Sequence, residues 1–491
     1  MGDSKIKSFS RKEVILVPVP KMEFRIQDNI MKFIGREKEL KRLYDSLNRP
    51  YGSVVALYGR RRVGKSALIA KALEGFAGTV ISFVALDRAG YQKNFELLKN
   101  KVKAALKEEY LDFKSITDLL SFLYIKAKKT PMVLALDEYP FLLEDREELN
   151  SELQTVIDRY QKDSHLNIIL SGSSFGKMQE IIDDPSPLYG RFNEVLHIEP
   201  FDYWDAAKWM GGLSPEKKFE FYAVFGGIPY YLDNLDFNKT LKENLIEKFI
   251  PIGSFFENEL QNTTLKEIMK DERSFRIVSL IAQGKHSYSD LNEALPGKGA
   301  SKAVYALNKL LDEKIIQKLT PINLNSERKG SYYLCDSLLE FYFDFLYEMQ
   351  TERTYMSEEK VYDLIRDSFL QNYLPHQFEK LSKEYLIRRN RMGLNQPLFN
   401  NIGHFAYYDP KGKKNLEFDV VTSSKEGYEN YECKYLSHPL SQQTMEKEIH
   451  DCKERKIPFT RYGFFSKNGF EIKPEGMDCY SLDDIYNLED K

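Results

Sequence analysis

The sequence has few cysteines, no long apolar run and almost no excess of either charge. Its four cysteines are scattered without a Cys-x-x-Cys pair, which argues against a disulfide framework or a zinc site and favours reduced thiols in a cytoplasmic protein. No apolar stretch approaches the ~20 residues that a membrane-spanning helix needs. The polar N-terminal residues lack the apolar core of a signal peptide. We therefore expect no membrane partner.

The charge balance is nearly neutral, with 71 Lys and Arg residues against 74 Asp and Glu residues and a formal net charge of −3. This excludes a protein that coats nucleic acid through bulk positive charge, although a local basic patch is still allowed. Hydrophobic residues make up 42% of the chain and charged residues 30%, which is a normal globular composition. A length of 491 residues predicts about three domains, at roughly 150 residues each.

Between residues 53 and 200, short runs of Val, Ile and Leu alternate with longer amphipathic stretches. Nearly continuous apolar runs are typical of strands that are buried on both faces of a parallel sheet. The alternation of such strands with helical stretches predicts a layered α/β domain. The next 60 residues lack the strand pattern and are predicted to be helical.

The segment GRRRVGKS, residues 59–66, matches the pattern G-x-x-x-x-G-K-[ST] between a predicted strand and a predicted helix. In such a loop, backbone N–H groups and the helix N-terminus surround the phosphates of a nucleotide. Lys65 would reach the β- and γ-phosphates, and the Ser66 hydroxyl would bind magnesium. We therefore predict ATP and Mg²⁺ as ligands. The predicted phosphate-binding residues are Gly59, Arg60, Arg61, Arg62, Val63, Gly64, Lys65, Ser66 and Ala67.

A nucleotide site also needs an acidic residue at the end of a buried strand, and the segment MVLALDE supplies two. Asp137 would complete the magnesium site, and Glu138 would polarise the water that attacks the phosphate. Strands often end in acidic residues, so this assignment depends on the phosphate loop beside it.

With these motifs the chain resembles the archaeal-type ATPases of the AAA/STAND group. The resemblance implies that Arg36, in the segment FIGREKEL, lies near the adenine, and that Ser171 or Ser173 lies near the γ-phosphate. It also implies that Arg191 stabilises charge or senses the nucleotide, and that Pro229 lies in a lid near the base. From the residues alone, Arg191 could equally be a solvated surface residue, and Ser171 could cap a turn.

Residues 266–350 are predicted to contain three helices followed by two short strands, the layout of a winged helix-turn-helix. The loop between the strands would be the wing and carries Arg328 and Lys329. Lys302 and Lys309 lie seven positions apart and would share one face of the third helix. Both DNA contact and a simple packing role are compatible with this region.

The C-terminal region has acidic residues with a regular spacing. Asp419 lies on one predicted strand, and Glu432 and Lys434 lie on one face of the next, so neighbouring strands can bring the three together. Two nearby carboxylates require a cation, which predicts magnesium bound by Asp419 and Glu432, with Lys434 beside the attacking water. With Glu379 on the preceding helix, this order resembles the PD-(D/E)xK nuclease core. Gln442 or Gln443 follows where that core often carries a glutamine.

The same region resembles a domain of unknown function that is attached to archaeal-type ATPases, through Ile402–Gly403, Glu417–Asp419 and Glu432–Lys434. A departure is the segment GHFAYYDP, where that family often has paired tryptophans. Alternating charges also decorate ordinary half-exposed strands, so the predicted site could be inactive. The basic segment RRNRMG, residues 388–393, could follow phosphates or could be a solvated helix end.

The predicted fold class is α/β: a P-loop NTPase parallel sheet with a helical lid, a winged helix-turn-helix and a C-terminal restriction-endonuclease-like domain. The predicted boundaries are 1–30 for an N-terminal arm, 31–204 for the ATPase domain, 205–265 for the lid, 266–350 for the winged helix and 351–491 for the nuclease-like domain.

The predicted function is a magnesium-dependent ATPase coupled to a nuclease that acts on DNA. The alternative is an ATP-driven switch whose later domains only bind nucleic acid or protein. The oligomeric state stays open.

Overall fold

The computed structural model describes residues 24–26, 29–31, 33–296, 303–324 and 330–488. The chain separates into two compact units, residues 1–34 and residues 35–491. In the first unit, the described strands β1 (Phe24–Ile26) and β2 (Asn29–Met31) form an antiparallel pair. Most of the predicted N-terminal arm, residues 1–30, lies outside the described residues.

The second unit begins with alternating strands and helices, as the apolar runs predict. These elements are α1 (Glu37–Leu47), β3 (Val54–Tyr58), α2 (Lys65–Ala72), β4 (Thr79–Val84), α3 (Gly90–Leu106), α4 (Ile116–Lys126), β5 (Met132–Asp137), α5 (Leu149–Tyr160), β6 (Leu166–Gly172), α6 (Phe175–Ile182) and β7 (Glu194–His197). The five strands form one parallel sheet in the order β4-β5-β6-β3-β7. The prediction of an α/β domain with a parallel sheet is therefore confirmed.

Strand order brings the functional loops together. Because β6 lies between β3 and β5, the carboxyl ends of these three parallel strands lie side by side. Every residue of β3 and β6 is buried, as expected for strands in the middle of a sheet. The strand β4 differs because it lies at the sheet edge, and one of its faces leaves Val80 and Val84 exposed.

A helical segment follows the sheet, as predicted. It contains α7 (Tyr203–Ala207), α8 (Pro215–Phe225), α9 (Pro229–Asp233), α10 (Leu241–Lys248), α11 (Phe255–Asn262) and α12 (Thr264–Ile268). Three more helices and an antiparallel hairpin come next: α13 (Glu272–Ala282), α14 (Tyr288–Ala294), α15 (Val304–Asp312), β8 (Ile316–Leu319) and β9 (Ser331–Leu334). The predicted wing residues Arg328 and Lys329, together with Lys302, lie outside the described residues.

The C-terminal part has helices packed with a second five-stranded sheet. Its elements are α16 (Ser337–Phe341), a π-helical segment (Tyr342–Leu346), α17 (Gln350–Tyr355), α18 (Glu358–Ser368), a second π-helical segment (Phe369–Tyr373), α19 (Leu374–Arg391), β10 (Asn401–Asp409), β11 (Lys414–Ser424), β12 (Gly427–Lys434), α20 (Gln442–Glu454), β13 (Phe459–Ser466), β14 (Asp478–Ser481) and α21 (Leu482–Tyr486). The strands lie in chain order, with β10–β12 antiparallel and β12–β14 parallel.

A single buried apolar cluster connects the helical segment, the hairpin region and the C-terminal sheet, with members from Phe201 to Leu488. In this cluster, the Phe219 ring lies 5.8 Å from Phe378 and 5.5 Å from Tyr435. Such close-packed interiors transmit small displacements. Among the described residues, none of the helices combines the length and the apolar character needed to cross a membrane.

Candidate functional site

The phosphate loop between β3 and α2 requires glycine at both glycine positions of its motif. A side chain at Gly59 would collide with the carbonyl oxygen of Ile198, and Gly64 has a φ of +92°, which side chains rarely tolerate. Between them, the loop wraps around the Lys65 side chain, which is 7% exposed. The Lys65 ammonium donates to the backbone carbonyls of Gly59 at 2.9 Å and of Arg60 at 3.0 Å.

The two predicted acidic residues lie next to this loop. The hydroxyl of Ser66 donates to Asp137 Oδ2 at 2.6 Å, and the hydroxyl of Ser171 donates to Asp137 Oδ1 at 2.6 Å. Ser173 donates to the Glu138 carboxylate through its backbone N–H at 3.1 Å and its hydroxyl at 2.9 Å. Both predicted serines therefore contact an acidic residue.

Charged side chains are concentrated at these carboxyl ends of the strands. Burial lowers the pKa of Lys65, whereas the negative charges of Glu138 and Asp137 act to raise it. Glu138 has a φ of +53°, in the left-handed region that side chains rarely adopt. Such backbone strain is found preferentially at functional sites. A lysine, a hydroxyl and two carboxylates on adjoining loops form a group that can hold a phosphate and a divalent cation.

Two arginines of the loop contact residues far away in the chain. Arg60 forms an ion pair with Asp336 at 2.8 Å. Arg62 forms an ion pair with Glu259 at 2.9 Å, and its guanidinium lies 4.0 Å from the centre of the Tyr230 ring. The structure therefore directs both side chains away from the loop, towards the helical segment and the region after the hairpin. Both arginines belong to the loop, but their side chains bind other residues of the same chain.

The predicted base-proximal arginine, Arg36, also contacts the phosphate loop. Its guanidinium donates to the carbonyl of Val63 at 3.2 Å and to the carbonyl of Glu199, and lies 4.4 Å from the centre of the Phe201 ring. Burial lowers the pKa of Arg36. The residue thus connects the start of α1 to the loop and to the chain after β7.

The structure brings Pro229 to the site but does not bring Arg191 there. A methyl group added at Gly64 would lie 3.9 Å from Pro229 Cγ. Arg191 instead forms an ion pair with Asp158 at 3.1 Å and donates to the carbonyl of Tyr189 at 2.9 Å. This arrangement matches the alternative in which Arg191 is a surface residue of the ATPase domain.

A cavity of about 370 Å³ lies beside the phosphate loop. It is lined by residues of the loop, of the strand ends, of the helical segment and of the end of α15, including Arg61, Glu138, Ser173, Ile228 and Glu313. Its volume is in the range of small-molecule sites. It therefore offers space for a ligand where the predicted phosphate-binding and acidic residues meet.

In the C-terminal sheet, Asp419 and Glu432 lie on the same face of neighbouring strands. Val421 pairs with Asn430, and each acidic residue is two positions away from one member of that pair. Burial raises the pKa of Glu432. The predicted approach of these two carboxylates therefore follows from the strand register.

Nitrogen groups of the chain itself lie against these carboxylates. Lys434 donates to Glu432 at 2.9 Å and also to Glu448 on α20 at 2.9 Å. His404 Nδ1 lies 3.4 Å from Asp419. Burial would raise the pKa of Asp419, but His404, Lys383 and His376 together outweigh it, so the pKa is lowered.

Helix α19 brings Glu379 towards the same cluster. Glu379 contacts His376 at 3.3 Å, and Lys383 lies one helical turn further on. Burial lowers the pKa of Lys383, while Asp419 and Glu379 act to raise it. The i, i+4 spacing of Glu379 and Lys383 is a signal that the sequence analysis missed. No such signal exists for Glu448, which reaches Lys434 only through the fold.

Three findings restrict the predicted C-terminal site. Within the described ranges, no group of three His, Cys, Asp or Glu side chains is arranged to hold a metal ion. Gln442 and Gln443, expected near the site, are exposed at the start of α20, and Gln442 bonds to Glu446. In the basic segment 388–393, Arg389 donates within its own region, to the Asn395 side chain at 3.1 Å.

Comparison with known proteins finds family matches for two segments of the chain. Residues 33–235 match a family described as an ATPase domain predominantly from Archaea. Residues 342–449 match a family of archaeal and bacterial proteins of unknown function.

Individual relatives are also of archaeal origin. The chain is 28% identical over 377 residues to an uncharacterized protein of Methanocaldococcus jannaschii, covering 76% of this chain and 81% of that one. It is 47% identical over 45 residues to an uncharacterized ATP-binding protein of the same organism, covering 9% of this chain and 76% of that one.

Solved structures have weaker similarity. A Walker-type ATPase of Pyrococcus abyssi has a TM-score of 0.48 at 21% identity, covering 64% of this chain and 96% of that one. The ORC2 protein of Aeropyrum pernix has a TM-score of 0.44 at 13% identity, covering 68% of this chain and 95% of that one. These two similarities are too low to bear on function. The family match and the geometry of the phosphate loop together identify the chain as a P-loop ATPase whose ATPase domain belongs to the family found predominantly in Archaea.

Proposed function

We propose that this ATPase hydrolyses ATP with magnesium at the loop of residues 59–66. The observation that carries the proposal is the 2.6 Å contact between the Ser66 hydroxyl and Asp137, with Glu138 as the next residue. A hydroxyl and a carboxylate are oxygen ligands of the kind that magnesium prefers, so Ser66 and Asp137 would hold it. When bound, magnesium would supply positive charge against the phosphate oxygens.

The remaining side chains have separate roles in the proposed reaction. Lys65 would donate to the phosphate oxygens instead of the loop carbonyls that it contacts here. Glu138 would accept a proton from the attacking water. Ser173 orients the Glu138 carboxylate through two hydrogen bonds, and Ser171 orients Asp137. The walls of the adjoining cavity would limit the access of other water molecules.

The substitution Glu138→Gln tests this assignment. The amide keeps the size of the side chain and can still accept from Ser173, but it is not a base. We expect ATP hydrolysis to fall by a factor of about 100 or more, while ATP binding persists. Hydrolysis would be measured by phosphate release and binding by calorimetry.

The matched control is Glu180→Gln, at an exposed position on α6 of the same domain. It should hydrolyse ATP at the wild-type rate. Wild-type turnover by the Glu138→Gln variant would refute the role of Glu138 as the base.

We further propose that the C-terminal cluster cleaves DNA, for which the shared face of Asp419 and Glu432 is the supporting observation. Magnesium often uses only one or two protein carboxylates and completes its shell with water and substrate phosphate. Asp419 and Glu432 would therefore be sufficient ligands, with Glu379 nearby. Lys434 would have to exchange its bonds to Glu432 and Glu448 for a bond to water or phosphate. The helices and hairpin of residues 272–334 support a winged-helix role in DNA contact.

Incubation of the purified protein with DNA in magnesium or manganese, with and without ATP, tests this second proposal. We expect cleavage by the wild type and none by Asp419→Ala. Glu426→Ala, in the exposed turn after the same strand, is the control and should cleave normally. If the wild type cuts no form of DNA, the C-terminal region is not a nuclease, and the alternative of an ATP-driven switch that only binds its partner is favoured.

A further inference from the structure

One buried ion pair joins the phosphate loop to the part of the chain that follows the hairpin. Arg60 and Asp336 are 276 residues apart, and their charged groups meet at 2.8 Å. The two side chains are 17% and 2% exposed. Burial alone would lower the pKa of Arg60, but Asp336, Tyr231 and Cys335 together outweigh it, so the pKa is raised. Removing one partner of such a pair leaves an uncompensated buried charge, so the contact is strongly constrained.

Asp336 has a second set of contacts on its own side. One carboxylate oxygen accepts from the backbone N–H groups of Leu338 at 2.9 Å and Leu339 at 3.2 Å, and so caps helix α16. The other oxygen accepts from Arg60. A single carboxylate therefore caps α16 and binds the Arg60 side chain, which also donates to the Thr264 hydroxyl at 3.2 Å.

On the other side, Arg60 is part of the backbone that surrounds Lys65. The Arg60 carbonyl accepts from the Lys65 ammonium at 3.0 Å. The second loop arginine is different, because the Arg62 side chain is 44% exposed and its partner Glu259 lies in the preceding helical segment. Solvent reaches that arginine and screens its pair with Glu259, although the Glu259 side chain is itself only 8% exposed. The Arg60–Asp336 pair is thus the buried connection between the loop and α16.

We propose that Asp336 is a positioning residue for ATP binding. Through Arg60 it holds the phosphate loop in the conformation that receives phosphate, and ATP binding in turn stabilises the segment of residues 331–346. The two effects must be equal because coupling between two sites is reciprocal. This inference rests on the proposed ATP site and identifies how that site is connected to the C-terminal half.

The substitution Asp336→Asn separates the cap from the ion pair, since asparagine caps helices about as well as aspartate. We expect ATP affinity, measured by calorimetric titration with magnesium, to fall at least about fivefold. Arg60→Gln should have a similar effect. Because both substitutions remove the same ion pair, the double variant should bind ATP only slightly more weakly than the weaker-binding single variant. If Asp336→Asn fails to fold, Arg60→Lys replaces it, because lysine keeps the charge but loses the planar guanidinium.

The matched control is Asp271→Asn. Asp271 caps α13 through the N–H groups of Arg273 and Ser274, and its substitution should leave ATP affinity unchanged. A second readout is amide hydrogen exchange in residues 331–346, which ATP should slow in the wild type but not in Asp336→Asn.

Wild-type ATP affinity in Asp336→Asn, or additive losses in the double variant, would overturn this inference while the ATP site stands. Absence of ATP binding by the wild type itself would instead refute the proposed function.

Discussion

Ser171 and Ser173 lie on either side of Gly172 at the end of β6, and each binds one of the two acidic residues after β5. Ser171 is fully buried, and its hydroxyl has Asp137 as its partner. Because the other oxygen of Asp137 faces Ser66, the Ser171 bond determines which oxygen is available at the phosphate loop. The family resemblance predicts that Ser171 or Ser173 lies near the γ-phosphate, and in the structure both hydroxyls contact the acidic residues beside the phosphate loop.

We predict that Ser171→Ala weakens magnesium binding without unfolding the protein. Loss of a partner that orients a metal ligand typically reduces metal affinity about 10-fold to 100-fold. The magnesium concentration for half-maximal ATP hydrolysis should therefore rise by about tenfold.

Ser164→Ala is the control for that experiment, because its buried hydroxyl donates to the carbonyl of Tyr124 away from the site. It should lower the free energy of unfolding by about 1 kcal/mol and leave the magnesium dependence unchanged. An unaltered magnesium requirement in Ser171→Ala would show that Asp137 needs no orientation by Ser171.

At the scale of elements, helix α19 connects the C-terminal sheet to the helical segment. Its Lys383 is close to the carboxylate cluster, while the next residue, Glu384, points to the other side. The Glu384 carboxyl accepts from the Tyr222 hydroxyl at 2.9 Å and from the Tyr203 backbone N–H at 3.1 Å. Burial raises the pKa of Glu384 to about 7. The helix therefore carries a group that titrates near neutral pH at this contact.

This raised pKa predicts a dependence of stability on pH. The unfolded chain loses the Glu384 proton near the ordinary value of 4.5, and the folded protein keeps it up to about 7. The folded state binds more protons between these values, so this group makes the free energy of unfolding fall as the pH rises through that range. Glu384→Gln removes the effect. The free energy of unfolding of this variant, relative to that of the wild type, should rise by about 2 kcal/mol between about pH 5 and about pH 8.

Urea unfolding at the two pH values measures this difference. Glu359→Gln, at an exposed position in the first turn of α18, is the control and should follow the wild type at both. If the Glu384→Gln difference is the same at both pH values, the Glu384 pKa is not raised in the folded protein.

Strands and helices were predictable where local pattern determines them. The central strands β3, β5 and β6 are apolar because both of their faces are covered, and the alternation in β11 and β12 identified the face of Asp419 and Glu432. The edge strand β4 departs from the buried pattern because its position in the sheet depends on strand order. The sequence does not specify that order until the whole sheet is assembled.

For the whole molecule, the residues that the sequence analysis missed are those that depend on contacts distant in the chain. The phosphate loop and Asp137 were predictable because they are defined by a short motif and a strand end. Asp336 and Glu448 were not, because a lone acidic residue acquires its role only from a partner that the fold brings near. Arg191 shows the converse, since the fold pairs its side chain with Asp158.

The central claim is that one loop binds and hydrolyses ATP, and the substitution Lys65→Ala tests it most directly. The measurement is phosphate release from ATP by the full chain in magnesium, with folding checked by circular dichroism. Wild-type protein should hydrolyse ATP, and folded Lys65→Ala protein should not, because it lacks the ammonium group that reaches the phosphates. Undiminished hydrolysis by the folded Lys65→Ala variant would contradict the account.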